Sequence, residues 1–421
     1  MRTVNEIYNA IGLQTDTVDC KFRVGDAPDY ERNLRHLDHM IDMAVLHSME
    51  YRPRLLALCE GAIQGFPDEY HDWESADYAR SGAIDIPGPV TDRLAERAVK
   101  WDLYLIGQAK ARMPEFPDRF FNTAFIIDPA GEIVHLHRKN VVFTIEHTTT
   151  PHDVWDQWVA MFGDGLDAFF PVARTPIGNI GCLICMEGNY PELARGLMMN
   201  GAEIVYRPSS IENKISTGVW QIQNQARALD NNCYVIAPNT GYHTVDAAGT
   251  RGFVTGGHPM IVDYRGQIAH EIRTQGDAFV AAPINIEGLR QHRANARQNN
   301  WAPHMKTELY RLVYDKAVWP KNLAAHRPPQ RREATDEIYF QTIRRLQEAG
   351  VQVPPAAVSG RTDTGGAAAG SSLREHILGR VSEMGEGERP GPPVPKLRVV
   401  GNDEEAGESK ETAIVPDQAA E

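Results

Sequence analysis

Between about residues 8 and 315 the chain alternates short apolar runs with longer segments whose apolar residues recur at helical spacing. Arg54-Leu-Leu-Ala-Leu-Cys59 is polar only at its first position, the pattern of a strand buried on both faces. Just before it, Leu34, Leu37, Ile41, Ala44 and Val45 mark one face of a helix. Further strands are expected at 103–106, 123–127, 133–137, 180–184, 203–206, 234–237, 259–262 and 278–284, and helices at 90–101, 191–200 and 217–231. Both-face-buried strands interleaved with helices require layers, which makes this an α/β chain.

Two segments echo each other. Phe125-Ile-Ile-Asp-Pro-Ala-Gly-Glu-Ile-Val134 and Met260-Ile-Val-Asp-Tyr-Arg-Gly-Gln-Ile-Ala269 both read apolar run, Asp-x-x-Gly, apolar run. Each predicts a β-hairpin with Gly at the left-handed turn position. A hairpin in each half implies two similar sheets, with chance similarity as the alternative. Residues 316–354, helical over 338–346, form an arm that a partner subunit could receive. Beyond 355 the composition shifts to Gly, Ala, Ser, Pro and Glu, and a disordered tail is expected over 355–421.

The chain carries 43 Lys plus Arg against 56 Asp plus Glu, a net charge of −13, which argues against nucleic acid or an anionic membrane as partner. The start lacks an apolar targeting segment and no apolar run approaches membrane-spanning length. Five cysteines in 421 residues are too few, and odd in number, for a disulfide framework. A cytoplasmic protein with reduced thiols is expected.

Three chemically useful residues each follow a predicted strand: Glu60, Lys139 and Cys185. That edge is where sites collect in layered α/β folds. A carboxylate can take the thiol proton, the thiol can attack a carbonyl, and the ammonium, beside the Met186 backbone N–H, can hold the oxyanion. The ammonium, and the positive end of a helix starting at Tyr190-Pro191-Glu192, are expected to favour thiolate over thiol. Taken singly, each residue has an ordinary reading as a core thiol, a solvated lysine or an ion-pair carboxylate.

Jointly they sit in a series of spaced motifs: Leu58-Cys-Glu60, His137-Arg-Lys-Asn140, Gly181-x-x-Ile-Cys-x-Glu-x-x-x-Pro-Glu-x-x-Arg195, Gly201-Ala-Glu-Ile204, Gln225-Ala-Arg-Ala-Leu-Asp-Asn-Asn-Cys-Tyr-Val235 and Gly256-Gly-His-Pro-Met-Ile-Val262. In this order they resemble the nitrilase, or carbon–nitrogen hydrolase, superfamily along most of residues 8–315, which implies a hydrolase domain over residues 1–315. The resemblance implies a four-layer αββα sandwich. It also implies hydrolysis of a non-peptide C–N bond through a covalent acyl-enzyme, without metal or organic cofactor, in a homodimer or larger homo-oligomer. It casts Glu146 as a second carboxylate that orients the lysine and the substrate amide. Met186, Glu187, Tyr190 and Gly61 become the expected substrate contacts, while Arg195 and Arg227 read as structural ion-pair residues.

Within the superfamily, Glu187-Gly-Asn-Tyr-Pro-Glu192, Asn231-Asn-Cys-Tyr-Val235 and Arg293-Ala-Asn295 look most like the aliphatic amidase and formamidase branch, so the expected substrate is a small-molecule carboxamide. Phe162-Gly-Asp-Gly165 resembles nitrilases, and Gly61, where aliphatic amidases carry Tyr, leaves room for a larger amide or a carbamoyl amine. From a different class, the chain could be an inactive scaffold. Cys182 and Cys185 as a redox or zinc pair fit poorly, because residues three apart on a strand face opposite sides. His135, His137, His147 and His152 read as surface or core histidines, and Cys20, Cys59, Cys182 and Cys233 as small core residues.

Overall fold

Leu55 and Ala57 point one way from the strand Pro53–Leu58, and Leu56 and Leu58 the other. The first pair joins Ile180, Ile204, Tyr206 and Ile236 in a core between two sheets. The second joins Leu34, Leu37 and Ile41 of the helix Tyr30–His47, and Leu94 and Ala98 of Pro89–Trp101. On the far side, Leu183, Val205, Val235 and Val262 meet Ala194 and Leu197 of Pro191–Met199, and Trp220 and Ala228 of Val219–Asn231. Helix, sheet, sheet, helix: the protein is the four-layer αββα sandwich. Each fully buried Leu or Ile contributes about 1.5–3 kcal/mol, against about 0–1 kcal/mol for a surface ion pair, so aliphatic packing holds the layers.

The computed structural model describes residues 6–23, 25–48, 50–210, 217–329 and 332–355, all within one structural unit. The first sheet runs Ala278–Ile284, Tyr8–Gln14, Pro53–Leu58, Tyr104–Arg112, Phe120–Ile127 and Ile133–Arg138. Its three strands from Tyr8–Gln14 to Tyr104–Arg112 are parallel, and the rest are antiparallel to their neighbours. The second runs Ile268–Glu271, Met260–Val262, Tyr234–Ala237, Ile204–Tyr206, Gly178–Cys182 and Val172–Thr175, again with three parallel strands at its centre. In both sheets the echoed hairpin flanks the parallel strand that comes last in the chain. Inter-sheet hydrogen bonds tie the layers: Tyr8 Oη donates to Ile177 O (2.7 Å) and Tyr206 Oη to Leu58 O (2.5 Å).

Strands differ from expectation where polar residues are buried. Tyr8–Gln14, central in the first sheet, carries buried Asn9 and Gln14 and was not among the expected strands. The strands expected at 103–106 and 123–127 extend to Tyr104–Arg112 and Phe120–Ile127, taking in Lys110 and Asn122. The arm's helix spans Arg332–Glu348. The arm lies on its own chain: Asn322 N donates to His152 O (3.0 Å), Ala324 N to Asp153 O (2.9 Å) and Arg332 Nη2 to Glu69 O (2.6 Å). The tail expectation, apart from residue 355, falls outside the described residues. No helix among the described residues is long and apolar enough to cross a membrane.

Candidate active site

Glu60, Lys139 and Cys185 all lie at the strand edge that their positions predict, and two of them are in contact. Lys139 Nζ is 3.3 Å from Glu60 Oε1 and 2.6 Å from Glu146 Oε2. Asn122 Nδ2 donates to both carboxylates, at 3.1 Å to Glu60 Oε1 and 2.7 Å to Glu146 Oε1. The Cys185 thiol lies within electrostatic reach of the Glu60 carboxylate, the Lys139 ammonium and the Ser210 backbone N–H. All but Cys185 are nearly inaccessible to solvent.

Cys185 stands in a sharp turn. The strand Gly178–Cys182 runs on through Leu183 and Ile184, and Cys185 then takes φ +47°, a left-handed conformation rare for a residue with a side chain. Cys185 N donates to Pro208 O at 2.8 Å, fixing the turn on the neighbouring strand's continuation. Glu187 braces it from below: Oε2 accepts from Ile184 N (2.7 Å) and meets His137 Nε2 (2.9 Å), while Oε1 accepts from Asn140 N (2.8 Å). One carboxylate thus ties the nucleophile turn to the segment that carries Lys139. At Gly188 a Cβ would come within 1.8 Å of Arg207 Nε, so the turn can press onto this buried guanidinium only with glycine.

The electrostatics qualify one expectation. Burial, then the charge of Glu60, raise Cys185 to about 12, outweighing Lys139 and the Ser210 N–H. Lys139 favours the thiolate, as expected, but burial and Glu60 favour the thiol more strongly, so the proton leaves when a base takes it. Burial alone would push Lys139 down, but Glu146 and Glu60 hold it well above the ordinary lysine range. Glu146, against the same burial, is held well below the carboxylate range by Lys110 and Lys139 and by bonds from Lys139 and Asn122. A fixed cation, an ionised carboxylate, a second carboxylate and a protonated thiol can together carry acyl transfer.

A family model for carbon-nitrogen hydrolases matches residues 18–294. The chain belongs to the carbon–nitrogen hydrolase family. It is similar to the deaminated glutathione amidase of Dictyostelium discoideum, 28% identical over 287 residues covering 67% of this chain and 91% of that one. It is also similar to the omega-amidase NIT2 of Xenopus tropicalis, 27% identical over 232 residues covering 55% of this chain and 79% of that protein. Among solved structures, Nit3 of Saccharomyces cerevisiae, of branch 10 of the nitrilase superfamily, superposes with a TM-score of 0.53 at 20% identity, covering 71% of this chain and 98% of that one. At that identity the superposition speaks for the fold.

Seen on this carbon–nitrogen hydrolase framework, several expected contacts change role. Glu187 is fully buried and bonded on both oxygens, so it is a brace, not a substrate contact. Gly61 is buried at φ +74°, its N–H bonded to Gln108 Oε1 (2.9 Å), where a Cβ would meet the Phe66 ring at 2.4 Å. It shapes the turn after Glu60. Tyr190 is 38% exposed and precedes the helix Pro191–Met199, with Pro at its first turn as expected. Met186 is part-exposed, its sulfur accepting from Asn189 Nδ2 at 2.9 Å. Arg227 binds the Gly188 and Asn189 carbonyls, each at 3.1 Å, and Arg195 makes no ion pair among the described residues, so neither fits the ion-pair role.

Sequence reasoning missed Asn122, Lys110 and Thr148, all of which contact Glu146. For Lys110 and Asn122 the available signal was a polar side chain inside a strand otherwise buried on both faces, whereas Thr148 lies in a loop and offered none. Such a group needs buried partners.

Proposed function

We propose that this carbon–nitrogen hydrolase is an amidohydrolase that converts a small-molecule carboxamide and water to a carboxylic acid and ammonia. The observation that supports it most is the convergence of Cys185, Glu60, Lys139 and Glu146 at one edge of the sandwich. Amidases among the chain's relatives agree with this reading.

Glu60 takes the Cys185 proton as sulfur attacks the amide carbon. Coupling the two steps is required, because a thiol raised to about 12 is scarcely ionised at neutral pH. The oxyanion that forms is held by Lys139 Nζ and the Met186 N–H. Glu60 returns the proton to the amide nitrogen, the C–N bond breaks, ammonia leaves and a thioester remains. Glu60 then takes a proton from water as its oxygen attacks the thioester, and passes it back to sulfur as the acid departs. Glu146 stays ionised throughout, holding Lys139 and accepting from the substrate's N–H.

The test is ammonia release from formamide, short and long aliphatic amides, aryl amides, N-carbamoyl amines and nitriles, with Cys185→Ala alongside. Release from carboxamides, lost in the variant and accompanied by a trapped acyl adduct on Cys185, is the expected result. Turnover that survives Cys185→Ala ends the proposal.

A further inference from the structure

The catalytic cycle described above needs a proton that moves on and off one carboxylate, yet two carboxylates lie within its reach. Glu60 Oε1 and Glu146 share Asn122 Nδ2, at 3.1 and 2.7 Å, and Lys139 Nζ, at 3.3 and 2.6 Å. Carboxylates this close compete for a single proton. Asn122 and Lys139 serve both and do not separate them. Two further donors reach Glu146 alone: Thr148 Oγ1 (2.8 Å) and Lys110 Nζ (3.1 Å), each to Oε1. Of these only Lys110 brings a charge.

We propose that Lys110 is a positioning residue of the amidase site, acting through Glu146: its buried ammonium fixes Oε1 and keeps the catalytic proton on Glu60. The inference rests on the amide-hydrolysis reading. Lys110 projects from the strand Tyr104–Arg112 and is 1% exposed. Its other neighbours are Asp68 Oδ2 (3.3 Å) and Glu69 Oε1 (3.1 Å). His147 also faces Asp68 and lies 3.1 Å from Asp72.

A simpler role would be neutralising Asp68 and Glu69. Burial opposes that role, since it pushes both of these carboxyls up, Glu69 to about 8, against the pull of Lys110. Glu69 is therefore protonated at neutral pH and needs little of the ammonium's charge. Asp68 shares that charge with Glu146, which the ammonium helps to hold ionised at 3.1 Å. Pairs of acids whose surroundings push them apart divide the acid–base roles between them. Here Lys110 makes that division.

The experiment compares Lys110→Met with Asp68→Asn/Glu69→Gln in the full chain, using an amide that the wild type turns over. For Lys110→Met, kcat falls about 100-fold with KM within about 3-fold. The acidic limb of its kcat/KM profile rises by about one unit or more, as Glu146 begins to take protons. Asp68→Asn/Glu69→Gln keeps kcat within about 3-fold and leaves the limb in place. A folded Lys110→Met with near-wild-type kcat and an unmoved limb overturns the proposal. So does a double variant as impaired as Lys110→Met, which would mark a purely structural cluster. If Lys110→Met fails to fold, Lys110→Arg carries the test. Retained charge predicts the wild-type limb, and a limb shifted upward overturns the proposal. A wild type silent on every amide overturns the amidase reading and this inference together, whereas an active wild type beside an unaffected Lys110→Met overturns this inference alone.

Discussion

In the first sheet the hairpin beside the last parallel strand carries Asn122 and delivers Lys139; in the second the matching hairpin carries Met260, Ile261 and Val262, all fully buried. Their turns match atom for atom. Asp128 Oδ1 accepts from Ala130 N and Glu132 N at 2.9 and 3.0 Å, and Asp263 Oδ1 from Arg265 N and Gln267 N at 2.8 and 3.0 Å. Gly131 and Gly266 take φ +89° and +77°. The adjoining parallel strand holds Lys110 in one sheet, while in the other Tyr234–Ala237 is wholly apolar. One backbone plan is used twice, and the charge is concentrated in one copy. The first sheet and its loops supply the ions, and the second supplies the thiol. Topology fixes where residues converge, and side chains decide which sheet carries the electrostatics.

That division can be tested from the largest effect down. Cys185→Ala should abolish ammonia release, by about 10⁴-fold or more, while leaving the first sheet's ion network and the melting temperature in place. Adding Glu60→Gln should cost little further activity, because the two act as a unit. Additive losses would mean that the halves work separately. Glu187→Ala removes the link between His137 and Asn140 on one side and Ile184 on the other, and should destabilise the fold by about 3–5 kcal/mol in urea unfolding. A loss below about 1 kcal/mol would show that this bridge does not hold the turn.

A smaller effect is pH dependence. The folded chain holds Glu69 at about 8, above its unfolded value, so between the two the folded state binds the extra proton. Glu69 therefore contributes a loss of stability as pH rises from about 5 to about 8, and Glu69→Gln should flatten that slope in urea midpoints. An unchanged slope would remove Glu69 as its source. The smallest effect concerns the turns: Asp128→Ala and Asp263→Ala should each cost about 1 kcal/mol, and nearly equally. A difference above about 1 kcal/mol would show that the two copies no longer share a turn energetically.

Much of this was legible in the sequence. The layers follow from both-face-buried strands such as Pro53–Leu58, and the duplicate hairpins from Asp-x-x-Gly between apolar runs. Glu60, Lys139 and Cys185 announced themselves by following strands. What stayed hidden lay where the strand expectations stopped. An apolar-run criterion ends the third parallel strand at 106 and begins the next at 123, and so excludes Lys110 and Asn122, the polar residues that the site uses. The thiol's state was hidden for another reason. A nearby lysine suggests thiolate, but burial and the Glu60 charge, neither countable along the chain, reverse the sign.

That reversal bears on durability. Peroxide and other electrophiles attack thiolates, and their rate follows the ionised fraction. A cysteine held at about 12 offers almost none at rest, although it is the least buried of the five. On the proposed mechanism the proton leaves only with a substrate carbonyl in place and Glu60 poised to take it, so the burial that raises the thiol predicts slow oxidation of Cys185 by peroxide in the absence of substrate.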